Sequence, residues 1–523
     1  MNRNRKTGFR LSPLHGAAIL AAVGFLCLTG CSVGPNFHRP AAPAVDGYTA
    51  EPLAPETEKA DVAGGEVQHF LAGADIPAQW WTLFHSEPLN AVIAQALKNN
   101  PDLQSAHAAL RAAMENVYAQ EGAYFPSFNA NFTPSRQHNA VQPSPTLATF
   151  VSHFDLYSAQ VAGTWSLDVW GANRRAVEAL KAQADAQRFQ LEAAYLTLTS
   201  GIATAAVQEA SLRGQIAATN DIIMSESDAL DILRKQFQLG QVAEADVEAQ
   251  AAALSQIQAT LPPLNKQLLQ QRDLLTALVG RLPSQQIIET FSLESLQLPG
   301  DLPVSLPSRL IEQRPDIRTA EENLHAASAQ IGVAIANMLP AFSISGDYGT
   351  TATQTSGLFQ PFNGYWTLAG SVTQPIFQGG TLLHKTRAAR AIFEQAAALY
   401  RSTVNTAFQN VADTLGAVQS DAQALTADVA TEQTASESLK ITRHKLDLGA
   451  VSYLALLTAE QTYQQAVIAR IQAQAQRYAD TITLFQALGG GWWNRSPSAG
   501  DDSVLLRNRQ APRDAALPIG PSG

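Results

Sequence analysis

Four stretches of the chain alternate strictly between apolar and polar side chains, the period-2 signature of strands with two unlike faces. Phe128, Ala130 and Phe132 alternate with Asn129 and Asn131. Tyr157, Ala159, Val161, Gly163, Trp165, Leu167 and Val169 alternate with Ser158, Gln160, Ala162, Thr164, Ser166 and Asp168. The pattern returns as Phe342, Ile344, Gly346 and Tyr348 among Ser343, Ser345 and Asp347, and as Trp366, Leu368, Gly370 and Val372 among Thr367, Ala369, Ser371 and Thr373. About ten residues of this kind, with aromatics toward the ends, suit a transmembrane β-strand, although a soluble sheet resting on helices alternates in the same way. In the membrane reading four strands cannot close a barrel, for which about eight is the practical minimum. Several copies must then share one barrel, and three would supply twelve strands.

A second period occupies the segments between. No proline falls between Gly171 and Leu239, so a helix over about 172–238 would extend on the order of 100 Å. Val177, Leu180, Ala184 and Leu191 follow coiled-coil spacing. Tyr195, Leu198, Ile202 and Ala205 resume it after a one-residue slip, and Leu230, Leu233 and Phe237 end it. Such slips relax a supercoil and let long helices stand nearly parallel as a wall. Pro262-Pro263 should split the returning arm into two shorter helices; the second half has no such break.

These elements occur twice. Pro101-Asp102-Leu103 returns as Pro315-Asp316-Ile317, and Tyr124-Phe125-Pro126-Ser127-Phe128 as Met338-Leu339-Pro340-Ala341-Phe342. Leu239-Gly240 matches Leu448-Gly449, and Leu278-Val279-Gly280 matches Ala487-Leu488-Gly489. Ordered matches of this kind mark a duplication. The expected organisation is a signal segment 1–30, an N-terminal linker 31–87, a first repeat 88–280, a linker 281–307, a second repeat 308–489 and an unstructured tail 490–523. Each repeat reads as one helix, two strands, a very long helix and a returning one. Pro101 and Pro315 suit first helical turns, and Pro126 and Pro340 are expected to end those first helices.

The N-terminus adds an address. Arg3, Arg5, Lys6 and Arg10 precede a mostly apolar run from Leu11 to Leu28, closed by Leu28-Thr29-Gly30-Cys31. That ending resembles a bacterial lipobox, which implies that Cys31 carries a covalent lipid and begins the mature chain; an uncleaved anchor or an ordinary signal peptide is the other reading. Cys27 is the only other cysteine and lies inside the discarded segment, which excludes an intrachain disulfide. The net charge of −10 becomes about −14 once the four basic residues of 1–30 are removed, which argues against a nucleic-acid partner. No GxSxG, HExxH, Walker A or GxGxxG pattern is present, so an enzyme is not expected. His85, His107 and His325 read as polar helix-surface residues rather than metal ligands.

Trp80-Trp81-Thr82-Leu83-Phe84 with Pro88-Leu89-Asn90, Arg314-Pro315-Asp316-Ile317-Arg318-Thr319-Ala320-Glu321, Ile331-Gly332-Val333-Ala334 and Ala487-Leu488-Gly489-Gly490-Gly491-Trp492 together resemble the outer-membrane factor lipoproteins of the NodT type, within the TolC-like family. The resemblance runs from Cys31 to about Trp493. It implies an α+β membrane channel: a trimeric twelve-strand β-barrel, four strands per chain, continued by a long α-helical periplasmic barrel. It implies a passive duct, lipid-anchored in the outer membrane, that docks a periplasmic adaptor and an inner-membrane efflux transporter and has no cofactor beyond the lipid on Cys31. Drugs or other small solutes are the expected cargo, with type I protein secretion and metal-ion efflux as alternatives. Leu239, Gly240, Leu448 and Gly449 would form adaptor-docking turns, and Leu454 would match an aperture leucine. Thr458 stands where the family pattern has an aspartate of the constriction ring, which leaves Asp246, Asp447, Glu244 and Glu460 as nearby acidic candidates.

Overall fold

The computed structural model describes residues 32–52, 54–138 and 153–495; Cys31 lies outside the described residues. The elements run in the order β1 (His69–Ala72), α1 (Glu87–Asn99), α2 (Pro101–Glu121), β2 (Ser127–His138), β3 (His153–Leu167), α3 (Ala172–Gln238), α4 (Glu244–Gln258), α5 (Leu261–Leu278), β4 (Asp301–Val304), α6 (Pro307–Gln313), α7 (Pro315–Ala336), β5 (Ala341–Ala352), β6 (Gly364–Thr373), α8 (Thr381–Asp447) and α9 (Tyr453–Ala487). They divide between two compact units, and the two 67-residue helices α3 and α8 each contribute to both.

Of the described residues, the first unit draws on 32–41, 105–191 and 316–404 and holds an antiparallel sheet in the order β2-β3-β5-β6. Its register puts the apolar positions on one face. Phe128 pairs with Gly163, which pairs with Gly346, which pairs with Leu368; the row Ala130, Val161, Tyr348, Trp366 lies beside it. The opposite face carries Asn129, Ala162, Asp347 and Thr367 in one row, and the Tyr365 hydroxyl donates to Gln160 Oε1 at 2.5 Å in the next. The apolar side chains are bare: Trp366 is 75%, Leu368 71% and Phe128 71% exposed. β2 and β6 form the two free edges, where backbone donors and acceptors await another strand.

Local chemistry moves several expected boundaries. β3 stops at Leu167, short of the expected Val169, because the Asp168 carboxylate turns to accept the backbone N–H groups of Asn173 and Arg174 at 2.9 Å each. A carboxylate there satisfies orphan donors at the start of α3 and complements its dipole. The helices before the strands end at Glu121 and Ala336, ahead of Pro126 and Pro340, so those prolines open the strands rather than close the helices. Each repeat also has two leading helices rather than one, α1 with α2 and α6 with α7.

The segment after Cys31 is strapped down in the same unit. The buried Arg175 guanidinium donates to Val33 O at 3.1 Å and Asn36 Oδ1 at 2.7 Å, and Arg39 pairs with Glu321 at 2.8 Å. Phe37 stacks on His325 with ring centroids 4.4 Å apart. His325 is therefore not the plain surface residue expected. Burial alone would lower its pKa, but hydrogen bonds to Glu322 and Glu178 outweigh this and raise it.

Of the described residues, the second unit draws on 42–104, 192–315 and 405–495. Segments expected as linkers here form a short parallel pair, β1 with β4, in register from His69 with Asp301 to Ala72 with Val304. Residues 490–495 of the stretch expected to be unstructured are held in place, and the rest of that stretch lies outside the described residues. Trp493 Nε1 donates to Asp75 Oδ1 at 2.8 Å, and the Arg495 guanidinium grips both carboxylate oxygens of Glu192 at 2.7 and 2.8 Å. Trp80, buried, stacks on Phe485 at 5.4 Å. Among the described residues no helix is long and apolar enough to cross a membrane.

Candidate functional site

Both long helices end in the same device. After α3, Gly240 N–H donates to Phe237 O and Gln241 N–H to Gln236 O; after α8, Gly449 N–H donates to Leu446 O and Ala450 N–H to Lys445 O. These paired bonds close the last helical carbonyls and require a left-handed residue, supplied by Gly240 at φ 73° and Gly449 at φ 72°. A Cβ at either glycine would meet nothing within 4 Å, so backbone conformation alone demands glycine there. The leucines ahead of them project into solvent: Leu239 is 72% and Leu448 69% exposed.

The remaining expected residues fall on distinct surfaces. Leu454, 69% exposed, and Thr458 lie one turn apart on the exposed side of α9, and the Thr458 hydroxyl donates to Leu454 O at 2.9 Å. Asp246 accepts the Ala243 N–H at 3.4 Å and so caps α4. Glu244 and Asp447 are exposed at helix ends. Phe237, expected to close the buried seam of α3, is 43% exposed, while Leu230 and Leu233 pack with Val247 and Leu254 of α4.

Glu460 is different from the other acidic candidates, because it is buried. It belongs to a network that pattern reading missed. Glu226 precedes Leu230 and Leu233 at seam spacing on α3, Gln250 sits between Val247 and Leu254 on α4, and Glu460 follows Leu457 on α9. Polar residues in seam positions of three helices were the available signal. Gln250 Nε2 donates to Glu226 Oε2 at 2.5 Å, and the Tyr453 hydroxyl donates to Gln250 Oε1 at 2.7 Å. Arg443 from α8 pairs with Glu460 Oε1 at 3.1 Å. Burial and the neighbouring Glu226 push the Glu460 carboxyl up to about 7, against the opposing pull of Arg443. No group of three or more His, Cys, Asp or Glu placed to hold a metal ion occurs among the described residues.

Two stretches of the chain, 92–281 and 306–490, match the family described as outer membrane efflux protein. The chain belongs to that family. As an outer membrane efflux protein it is 28% identical over 492 residues to outer membrane protein OprJ of Pseudomonas aeruginosa, covering 93% of this chain and 97% of OprJ. It is 27% identical to the cation efflux system protein CusC of Escherichia coli, covering 89% and 97%, and 26% to the toluene efflux pump outer membrane protein TtgC of Pseudomonas putida, covering 93% and 98%. Among solved structures, the Campylobacter jejuni CmeC outer membrane channel superposes with a TM-score of 0.80 at 23% identity, over 91% of this chain and 98% of that one. The outer-membrane channel OprN superposes with 0.78 at 24%, over 88% and 100%. These likenesses show the channel fold, and the family places this efflux protein in the outer membrane.

Proposed function

We propose that three copies of this chain form the outer-membrane duct of a tripartite efflux system, which passively conducts small solutes delivered by an inner-membrane transporter through a periplasmic adaptor. The observation that carries the reading is the sheet of the first unit: four strands, one exposed apolar face and two free edges. Lipid tolerates no open sheet edge. Pairing β6 of one copy with β2 of the next removes every edge, and twelve strands exceed the minimum for closure.

The turns at Leu239-Gly240 and Leu448-Gly449 serve as docking points for the adaptor, their exposed leucines giving an apolar contact. Leu454 and Thr458 face the aperture, with Asp246 and Asp447 on its margin. A passive duct needs no pocket tuned to one solute, and relatives named for toluene and for cation efflux share similar levels of identity with this chain. Cys31 carries the lipid anchor, and the strap of Arg175, Phe37 and Arg39 holds the segment that follows it. Cys31→Ser should abolish incorporation of labelled palmitate; continued labelling removes the anchor from the reading. In planar bilayers the purified protein should form pores that favour cations, given the acidic body. Absence of pores contradicts the duct, and anion preference contradicts the selectivity expected of its net acidic charge.

A further inference from the structure

The buried acids Glu226 and Glu460 do more than fill seam positions. Glu226 is 4% and Glu460 8% exposed, and both line one cleft, where the neighbouring Glu226 helps to push the Glu460 carboxyl up. Arg443 occupies Glu460 Oε1, while Glu460 Oε2 is buried and meets no hydrogen-bond donor among the described residues. Two ionised carboxylates can only accept, so this orphan oxygen finds a partner in Glu226 only if one of the two acids carries a proton.

The surroundings favour that state. The pair borders a cleft of about 590 Å³ whose other lining residues carry no charge, among them Gln267, Gln461, Gln464 and Thr219. Both acids also line a second cleft of about 260 Å³, with Arg443, Asp221 and Tyr463. Tyr453 and Asp246 stand among the same acids. One arginine thus faces several acids, and a single cation cannot neutralise both glutamates.

We propose that Glu226 and Glu460 form a proton-binding site that ties the first helical hairpin to the second while it holds one proton and releases that tie when it ionises. The inference rests on the channel reading above, in which these hairpins end at the periplasmic aperture. Its pH window follows from the Glu460 carboxyl, displaced from 4.5 to about 7. Below 4.5 the packed and separated arrangements both hold the proton, and the tie is intact. Between 4.5 and about 7 only the packed arrangement holds it, so the tie weakens as pH rises and is lost above about 7. For a single proton, the ratio of open to closed apertures should rise by up to about tenfold per pH unit in that window.

The test is pore conductance of the full-length trimer in planar bilayers between about pH 5 and about pH 9, alongside infrared titration of the purified trimer. Wild type should conduct more as pH rises from about 5 to about 7 and then level off, and should show a protonated-carboxyl stretch that disappears as pH passes about 7. Glu460→Gln, which replaces the shared proton by an amide N–H, should stay closed at alkaline pH and weaken that band by its own share. Glu226→Gln should do the same if Glu460→Gln fails to assemble. Asp421 of α8, beside Asp480 of α9, is also pushed up to about 7 by burial and that neighbour. Asp421→Asn should therefore leave the conductance response in place. A flat wild-type profile, a band unchanged in both glutamine variants, or a response abolished by Asp421→Asn alone would each overturn the proposal. Failure to form any pore would sink the channel reading instead, and the infrared band would still decide the proton site.

Discussion

The two helical hairpins of this chain share an outgoing arm and differ in the return. α3 and α8 are each 67 residues long and each ends in a glycine turn with the same hydrogen bonds. On the way back, the second hairpin uses one 35-residue helix, α9, whereas the first uses α4 of 15 residues and α5 of 18, with Pro262 and Pro263 in the first turn of α5. Proline at a helix start costs nothing that the start has not already lost, and the two short helices together nearly match α9 in length. Duplication therefore preserved reach and turn chemistry while leaving continuity of the returning arm free to vary. The cleft bordered by Thr260, Pro263 and Leu264 lies beside that discontinuity. Acidic seam residues differ in the same way: Glu226 lies on an outgoing arm and Glu460 on a returning one.

The largest way to break this contrast is to give α9 the interruption that α4 and α5 already have. Ala466→Pro, at a buried position in the middle of α9, should destabilise the trimer by about 3 kcal/mol or more. Pro262→Ala, at the existing break, should change stability by less than about 1 kcal/mol. Thermal unfolding followed by circular dichroism measures both, and equal losses would show that the break in the first hairpin is not a tolerated discontinuity. A smaller effect tests the shared part. Gly240→Ala and Gly449→Ala should each cost about 1–2 kcal/mol, and equally, because both glycines hold positive φ in open space. Unequal losses would mean that the two turns are not the same device.

How far these features can be read in advance depends on whether the signal is local. The four strands are legible because every second residue commits to one face, and the register keeps those faces aligned across β2, β3, β5 and β6. α3 is legible because nothing in 67 residues interrupts it. What is hidden depends on distant partners. β1 and β4 are four residues each and become strands only by pairing across more than 200 positions. Asp168 continues the alternation of β3 yet serves α3, since two orphan N–H groups outbid a ladder position. Trp492 to Arg495 look like the start of a polar tail, but Asp75 and Glu192 hold them. At the hairpin turns, Leu239, Gly240, Leu448 and Gly449 announce themselves through glycine and repetition. Glu226, Gln250 and Tyr453 do not, because their meaning appears only when seams from different helices face one another.

Everything about the pore depends on how many chains close the sheet. Native mass spectrometry of the detergent-extracted protein tests this most directly: the proposed joining of four-stranded sheets at the free edges of β2 and β6 into a twelve-strand barrel predicts a single dominant species of three chains. A stable monomer would contradict the shared barrel outright, and a dimer, with only eight strands, would contradict the threefold duct.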